Sequence, residues 1–150
     1  MEFGRNRNIK LLTGAKLAGI QGEAGNFQVS VVQQPRYVDV EKCVACGLCA
    51  QKCPTKVEDD YDEKLKQRKA IYIPYAQAIP GAYVIDKEHC RFFTKGKCQV
   101  CQKICQNEAI DYEQQEKTLS LEVGSIILSP GFDEFDAKFI HEYGYSRFAN

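Results

Sequence analysis

The chain has 150 residues, of which 44% are hydrophobic, and its 20 basic and 20 acidic residues give a formal net charge of zero. This length suits one domain, or a small domain with part of another, and the neutral charge argues against nucleic-acid binding, which needs a basic excess. No apolar run is long enough to span a membrane, and the first ten residues lack the apolar core of a signal peptide. We therefore expect a cytoplasmic protein whose thiols stay reduced.

Residues 8–34 are predicted to form β-strands separated by turns. Glycines interrupt the first β-type run, IKLLTGAKLAGIQG, and EAGN is a turn-forming cluster. FQVSVV then alternates apolar and polar residues, as a half-buried strand does. These strands have no evident partner of their own, and Pro35 separates them from the segment that follows.

A first cysteine motif occupies residues 36–54 and crowds four cysteines into eleven positions. Its spacing is Cys43-x2-Cys46-x2-Cys49-x3-Cys53-Pro54. Eight cysteines in a cytoplasmic chain indicate metal binding rather than disulfide bonds. A secreted disulfide scaffold is the alternative, but such a protein would also need a signal sequence.

The segment between the two cysteine motifs changes from charged to apolar. KVEDDYDEKLKQRK, residues 56–69, is predicted to be an exposed loop that enters a short helix, with the basic side chains from Lys64 to Lys69 on a solvated face. A docking patch for an acidic partner is the alternative reading of these side chains. AIYIPYAQAIPG, residues 70–81, contains two prolines and is predicted to pack over a neighbouring surface as an irregular or edge-type stretch.

A second cysteine motif, within residues 83–112, repeats the first. Its spacing is Cys90-x7-Cys98-x2-Cys101-x3-Cys105. The x2 and x3 intervals agree with those of the first motif, and each motif follows Tyr-Val, an aspartate and a glutamate. All eight cysteines belong to one motif or the other. KTLSLEVGSIILSPGF then predicts one or two strands that end in a turn, and the last stretch has no clear period.

The spacing of the two motifs resembles that of the bacterial two-cluster ferredoxins. A [4Fe–4S] cluster needs a thiolate on each of four irons, and in these ferredoxins the fourth cysteine of each motif ligates the other cluster. The predicted ligands of one cluster are Cys43, Cys46, Cys49 and Cys105, and those of the other are Cys53, Cys90, Cys98 and Cys101. Because this exchange joins the two halves, cluster binding and folding should be coupled.

Several residues near the cysteines have expected structural roles. Gly47 would let the backbone approach a bulky cluster, and Pro54 would fix the turn that leaves the first motif. Ala109 and Ile110 would open a short strand that packs beneath the clusters.

Two features depart from the ferredoxin pattern. Gln106 stands where the pattern prefers proline, and RFFTKGK lengthens the second motif. Phe92 and Phe93 in that insertion could shield a cluster from water, or they could be ordinary packing residues. Zinc is the alternative metal, but zinc ribbons use paired CxxC units separated by a longer spacer, which these spacings fit poorly.

Beyond the cysteines, the chain resembles the A-type component of heterodisulfide reductase, an iron–sulfur flavoprotein family of anaerobic organisms. The likeness covers about residues 8–150 and rests on GEAGNFQVSV with PRYVDVEKC, on RKAIYIPYAQAIPGAYVIDKEHC and on VGSIILSPGF. It implies an α+β fold in which a ferredoxin-like two-[4Fe–4S] domain is inserted into strands of a thioredoxin-reductase-like FAD domain. The implied domains are residues 1–34 and 114–150 as parts of the flavin domain and residues 35–113 as the ferredoxin-type domain.

The flavin domain of this family normally carries a GxGxxG fingerprint, which the chain lacks. The glycines of GAKLAGIQG, at positions 14, 19 and 22, have the wrong spacing. We therefore expect a middle piece of such a protein, which does not bind FAD alone. The resemblance places Gly131, in Ser-Pro-Gly, where related flavoproteins carry a cofactor-proximal glycine in the complete protein.

The predicted function is electron transfer. Two [4Fe–4S] clusters would relay single electrons between a flavin and partner subunits of a redox complex, with a ferredoxin or hydrogenase-type donor as a further partner. We see no nucleophile or acid–base constellation, so the chain is an electron-transfer module without a complete active site. His89, next to Cys90, is expected at the surface or near a cluster, and His141 receives no role. The alternatives are clusters that only staple an interaction domain, or a free-standing ferredoxin.

Overall fold

The computed structural model describes residues 6–62, 64–131, 144, 147 and 148. In chain order its elements are β1 (Ala15–Glu23), β2 (Asn26–Gln33), α1 (Leu48–Lys52), β3 (Lys56–Glu58), β4 (Gln67–Lys69), β5 (Ile71–Tyr72), β6 (Val84–Ile85), α2 (Arg91–Lys95), α3 (Val100–Ile104) and β7 (Lys117–Val123). A 3-10 turn covers Asp60–Asp62. This mixture of short helices and antiparallel strands agrees with the predicted α+β class. None of the helices in the described ranges is long and apolar enough to cross a membrane.

Strands β1, β2 and β7 form an antiparallel sheet with β2 in the middle. The alternation in NFQVSVVQ buries Val29, and Gly25, with φ +93°, supplies the left-handed conformation that the tight turn between β1 and β2 requires. The strands predicted within 8–34 had no evident partner in the sequence, and the structure supplies one. They pair with each other and with a strand more than 80 residues later, a pairing that no local pattern can reveal.

The charged segment 56–69 forms a β-hairpin and not a loop entering a helix. Strands β3 and β4 pair antiparallel, with Val57 opposite Arg68. Asp59 is only 6% exposed, and its carboxylate accepts a hydrogen bond from the backbone N–H of Tyr61. Its own backbone N–H donates to the carbonyl of Lys66. These bonds close a turn around Asp59, and the backbone groups that a helix would use are engaged across the hairpin.

The repeated sequence motifs are also repeated structures. Asp39 and Asp86, the aspartates that precede the two motifs, each accept at the backbone carbonyl the N–H of the first cysteine of their motif, at 3.0 and 2.9 Å. Cys53 caps the C-terminal end of helix α1 and Cys105 caps that of helix α3, and both of these cysteines have extended backbones. The chain therefore builds the same turn-and-helix unit twice, and the helices of the two units pack together.

The hydrophobic core lies beneath the two motifs. Val38 and Ile110 form an antiparallel bridge, and the N–H of Asp39 donates to the carbonyl of Ala109 at 2.7 Å. The predicted strand at Ala109 and Ile110 is thus a single bridge, and both residues are buried as expected. Ile71 and Ile85, paired between β5 and β6, complete the centre of this core.

Candidate metal centre

A first cavity of about 100 Å³ lies between the two motifs. Its lining contains three thiols of the first motif and one of the second: Cys43, Cys46, Cys49 and Cys105. Apolar groups, including Val38, Ala109 and Ile110, line its inner side, whereas Val44 on the loop above is 68% exposed. The structure thus brings together, at one cavity, the four cysteines that were assigned to one cluster.

A second, smaller cavity of about 20 Å³ is lined by the remaining four cysteines. These are Cys53, Cys90, Cys98 and Cys101. Pro54, Ile71 and Ile85 form part of the apolar wall, and the ring of Tyr112 borders the same space. Here one thiol of the first motif lies with three thiols of the second.

Two short helices cause this exchange of cysteines between the cavities. Helix α1 contains Cys49 at the first cavity, and the next residue after it, Cys53, lies at the second. Helix α3 contains Cys101 at the second cavity, and the next residue after it, Cys105, lies at the first. The members of each pair are four residues apart, which is about one helical turn. Each helix therefore extends from one cavity to the other, and the x3 interval of the sequence sets that reach.

Burial changes the acidity of the cysteine thiols. Loss of hydration raises the pKa of Cys49 to about 12 and also raises the pKa of Cys90 and Cys101, and neighbouring cysteines add to each rise. Metal-free thiolates are therefore disfavoured at both cavities, whereas bound iron stabilises thiolates directly. A backbone N–H, that of Ala109, donates to the sulfur of Cys105 at 3.3 Å.

The donor set fits an iron–sulfur cluster at each cavity. Within the described residues, no three or more His, Cys, Asp or Glu side chains converge closely enough to hold a single metal ion. The cysteines instead surround two cavities, four to each, and soft thiolates with apolar surroundings are the usual environment of such clusters.

Gly47 has a backbone conformation that would be strained in a residue with a side chain. It precedes α1 with φ +84°, and a Cβ atom at this position would lie 3.4 Å from the hydroxyl oxygen of Tyr83. We expect Gly47→Val to lower the iron bound at the first cavity, because a β-branched residue disfavours positive φ and would crowd Tyr83. Iron analysis of the purified variant checks this, with Gly96→Val as the control. Gly96 also has positive φ, but it has open space around it and lies outside both cavities. Equal iron loss in the two variants would contradict a specific role for Gly47.

The other residues that the sequence singled out lie in different surroundings. Phe92 and Phe93 do not line the second cavity: they pack as rings against Tyr112 and Tyr37, so the packing interpretation is favoured. His89 is about half exposed, and its Nδ1 lies 3.0 Å from a carboxylate oxygen of Asp86.

The remaining residues that the sequence singled out lie in the basic segment 64–69, at Gln106 and near the end of the chain. The guanidinium of Arg68 pairs with Asp86 at 2.9 Å and lies over the ring of Tyr72, so this side chain is engaged in the fold rather than presented as part of a docking patch. Gln106 lines the first cavity. Gly131 has φ +88° with open space beside it. His141 lies outside the described residues.

Two tyrosines at the cavities received no role from the sequence. Tyr83 begins the second motif but lines the first cavity, and Tyr112 follows the last cysteine by seven residues and lines the second. Tyr83 belongs to the Tyr-Val that precedes the second motif, but its equivalent before the first motif, Tyr37, packs in the core and lines neither cavity. Nothing in the linear pattern marks Tyr112.

Comparison with known proteins agrees with this picture. The family described as "4Fe-4S binding domain" matches residues 36–57. The A-type iron-sulfur component of the CoB–CoM heterodisulfide reductase of Methanocaldococcus jannaschii is 44% identical over 143 residues, which are 95% of this chain and 21% of that protein. The A-type component of the H(2)/formate:CoB-CoM heterodisulfide,ferredoxin reductase of Methanococcus maripaludis is 46% identical over the same shares.

A third relative extends the match over the whole chain. The A-type component of the H(2):CoB-CoM heterodisulfide,ferredoxin reductase of Methanothermobacter marburgensis is 37% identical over 150 residues, which are 100% of this chain and 22% of that protein. The chain thus spans about a fifth of the length of these relatives. Over the length that it spans, and with a 4Fe–4S binding domain at its first cysteine motif, the chain belongs to the family of A-type heterodisulfide reductase components.

Proposed function

We propose that this chain binds two [4Fe–4S] clusters, one at each cysteine-lined cavity, and relays single electrons in a heterodisulfide-reductase-type oxidoreductase. The observation that carries the proposal is the exchange of Cys53 and Cys105 between the cavities, which gives each cavity four thiols. When bound to four thiolates, such a cluster accepts and donates one electron at a time.

The protein's contribution is to hold the thiols and to exclude water. Helices α1 and α3, each with the cysteine that caps its C-terminal end, supply one cysteine to each site, so short helical elements join the two sites. Ala109, Ile110 and Ile71 are buried and line one cavity or the other, which keeps bulk water away from the inner face of each site. A buried site changes its charge with little movement of solvent, which suits a relay.

We further propose that residues 1–34 and 114–150 belong to a thioredoxin-reductase-like FAD domain into which residues 35–113 are inserted. Pairing of β2 with β7 supports this organisation, because it joins the segments before and after the cysteine region in one sheet. An inserted domain requires its two ends to lie close together in the host. FAD binding would then be a property of the complete protein rather than of this chain alone.

The partners in this proposal are the flavin domain of the same protein and the other subunits of a redox complex. The names of related proteins include ferredoxin and H(2), which supports a ferredoxin or hydrogenase-type electron donor. Reduced cysteines and cluster chemistry suit the cytoplasm of an anaerobic organism. A neutral net charge gives no support to a nucleic-acid partner.

A second candidate function is structural stapling without electron transfer. The same exchange supports it, since each bound cluster would join two distant segments of the chain. Reversible reduction separates the two functions, because a staple does not need to accept an electron.

Metal analysis followed by reduction tests the proposal. Anaerobically purified chain is expected to contain about eight iron and eight acid-labile sulfide, and to give EPR signals of two interacting reduced clusters after addition of dithionite. Zinc without labile sulfide would contradict the proposal, and clusters that cannot be reduced and reoxidised would leave the structural role.

A further inference from the structure

The two candidate cluster sites differ in the hydrogen bonds made to their sulfurs. At the second cavity the hydroxyl oxygen of Tyr112 lies 2.9 Å from the sulfur of Cys101. Both residues are buried, at 8% and 9% exposure. At the first cavity the donors are backbone N–H groups, that of Ala109 to Cys105 and that of Ala50 to Cys49, which any residue except proline supplies.

Chemistry determines which partner of the Tyr112–Cys101 contact donates. A free thiol and a hydroxyl can each donate a proton, but a metal-bound cysteine is a thiolate with no proton to give. The hydroxyl of Tyr112 is then the donor and Cys101 the acceptor. A phenolic hydroxyl carries a proton at neutral pH and can donate it.

Neighbouring rings hold the donor in position. The ring of Phe92 stacks on Tyr112 with centroids 3.9 Å apart, and Phe93 meets it edge-on at 5.7 Å. With the ring constrained by these two neighbours, the hydroxyl has a restricted set of directions. Both phenylalanines belong to the seven-residue stretch between Cys90 and Cys98, which is five residues longer than the matching interval of the first motif.

We propose that the Tyr112 hydroxyl raises the reduction potential of the cluster held by Cys53, Cys90, Cys98 and Cys101. This inference rests on the proposed function. Reduction adds one electron, supplied by the external donor, and increases the negative charge on the ligand sulfurs. A hydrogen-bond donor stabilises that reduced state more than the oxidised one. No covalent bond forms or breaks, and the proton stays on Tyr112, which is therefore a positioning and tuning residue.

The direct test is Tyr112→Phe in the 150-residue chain, because this change keeps the stacked ring and removes only the hydroxyl. We expect unchanged iron and sulfide content, a more negative midpoint potential for one cluster, and no shift for the other in an EPR-monitored titration. The shift should persist when Cys43→Ala removes the first cluster. Tyr83→Phe is the matched control: it removes a hydroxyl at the first cavity and should leave the second cluster's potential unchanged.

A second readout is vibrational, and it compares the unaltered chain with Tyr112→Phe. Exchange into D2O should shift the iron–cysteine stretching bands in resonance Raman spectra, and Tyr112→Phe should reduce that shift. The proposal is overturned by potentials that stay unchanged in Tyr112→Phe, by an equal shift of both clusters, or by an absence of deuterium sensitivity in the unaltered chain. Failure of the proposed function looks different, since the unaltered chain would then lack labile sulfide or reversible reduction.

Discussion

Replacing Cys53 with alanine is expected to remove the cluster of the second motif, although Cys53 lies in the first. Alanine supplies no ligand, and the cavity that Cys53 lines contains Cys90, Cys98 and Cys101. Iron should fall from about eight to about four per chain, with one EPR-active cluster remaining.

Double variants identify which cysteines act together, by the logic of double-mutant cycles. Cys53→Ala with Cys90→Ala damages one site twice and should retain about four iron per chain. Cys53→Ala with Cys49→Ala damages both sites and should retain almost none. If each motif instead held its own cluster, the two double variants would show the reverse result. Two double variants that contain Cys105→Ala repeat the test. Cys105→Ala with Cys43→Ala damages only the first site, whereas Cys105→Ala with Cys98→Ala damages both sites.

Removal of iron is expected to unfold the region around the cysteine motifs. The core that the structure describes is small. The thiols of both motifs line the two cavities next to it, and Cys101 is itself part of the core. Small domains with few buried residues usually depend on such added links. Because the bound metal holds segments far apart in sequence, its binding free energy is also folding free energy.

Hydrogen exchange measures this coupling directly. In the iron-loaded chain, the backbone N–H of Ile85, which donates to the carbonyl of Arg36, and that of Asp111, which donates to Tyr37, should exchange slowly. After anaerobic removal of iron by a chelator both should exchange fast, and reconstitution with iron and sulfide should restore protection. A zinc-loaded preparation is the comparison for metal identity. Retained protection in the metal-free chain would contradict the coupling.

The local sequence was enough to predict features that depend only on residues close together in the chain. Alternation in FQVSVV predicted strand β2, and the burial of Ala109 and Ile110 followed from their apolar character. The hairpin at 56–69 was missed because charged residues with good helix propensity also fit a short exposed strand pair. The hydrogen bonds of Asp59, from the Tyr61 N–H to its carboxylate and from its own N–H to the Lys66 carbonyl, stabilise the turn and offset the cost of burying the carboxylate.

The cysteine spacing, through its resemblance to the two-cluster ferredoxins, predicted how the cysteines divide into two sets of four. The same two sets line the two cavities. Only the tertiary structure decided that β7 pairs with β2 and that Tyr112 meets Cys101. Both contacts join residues that are apart in the sequence. Packing of the shared core brings these residues together, and no local sequence period reveals it.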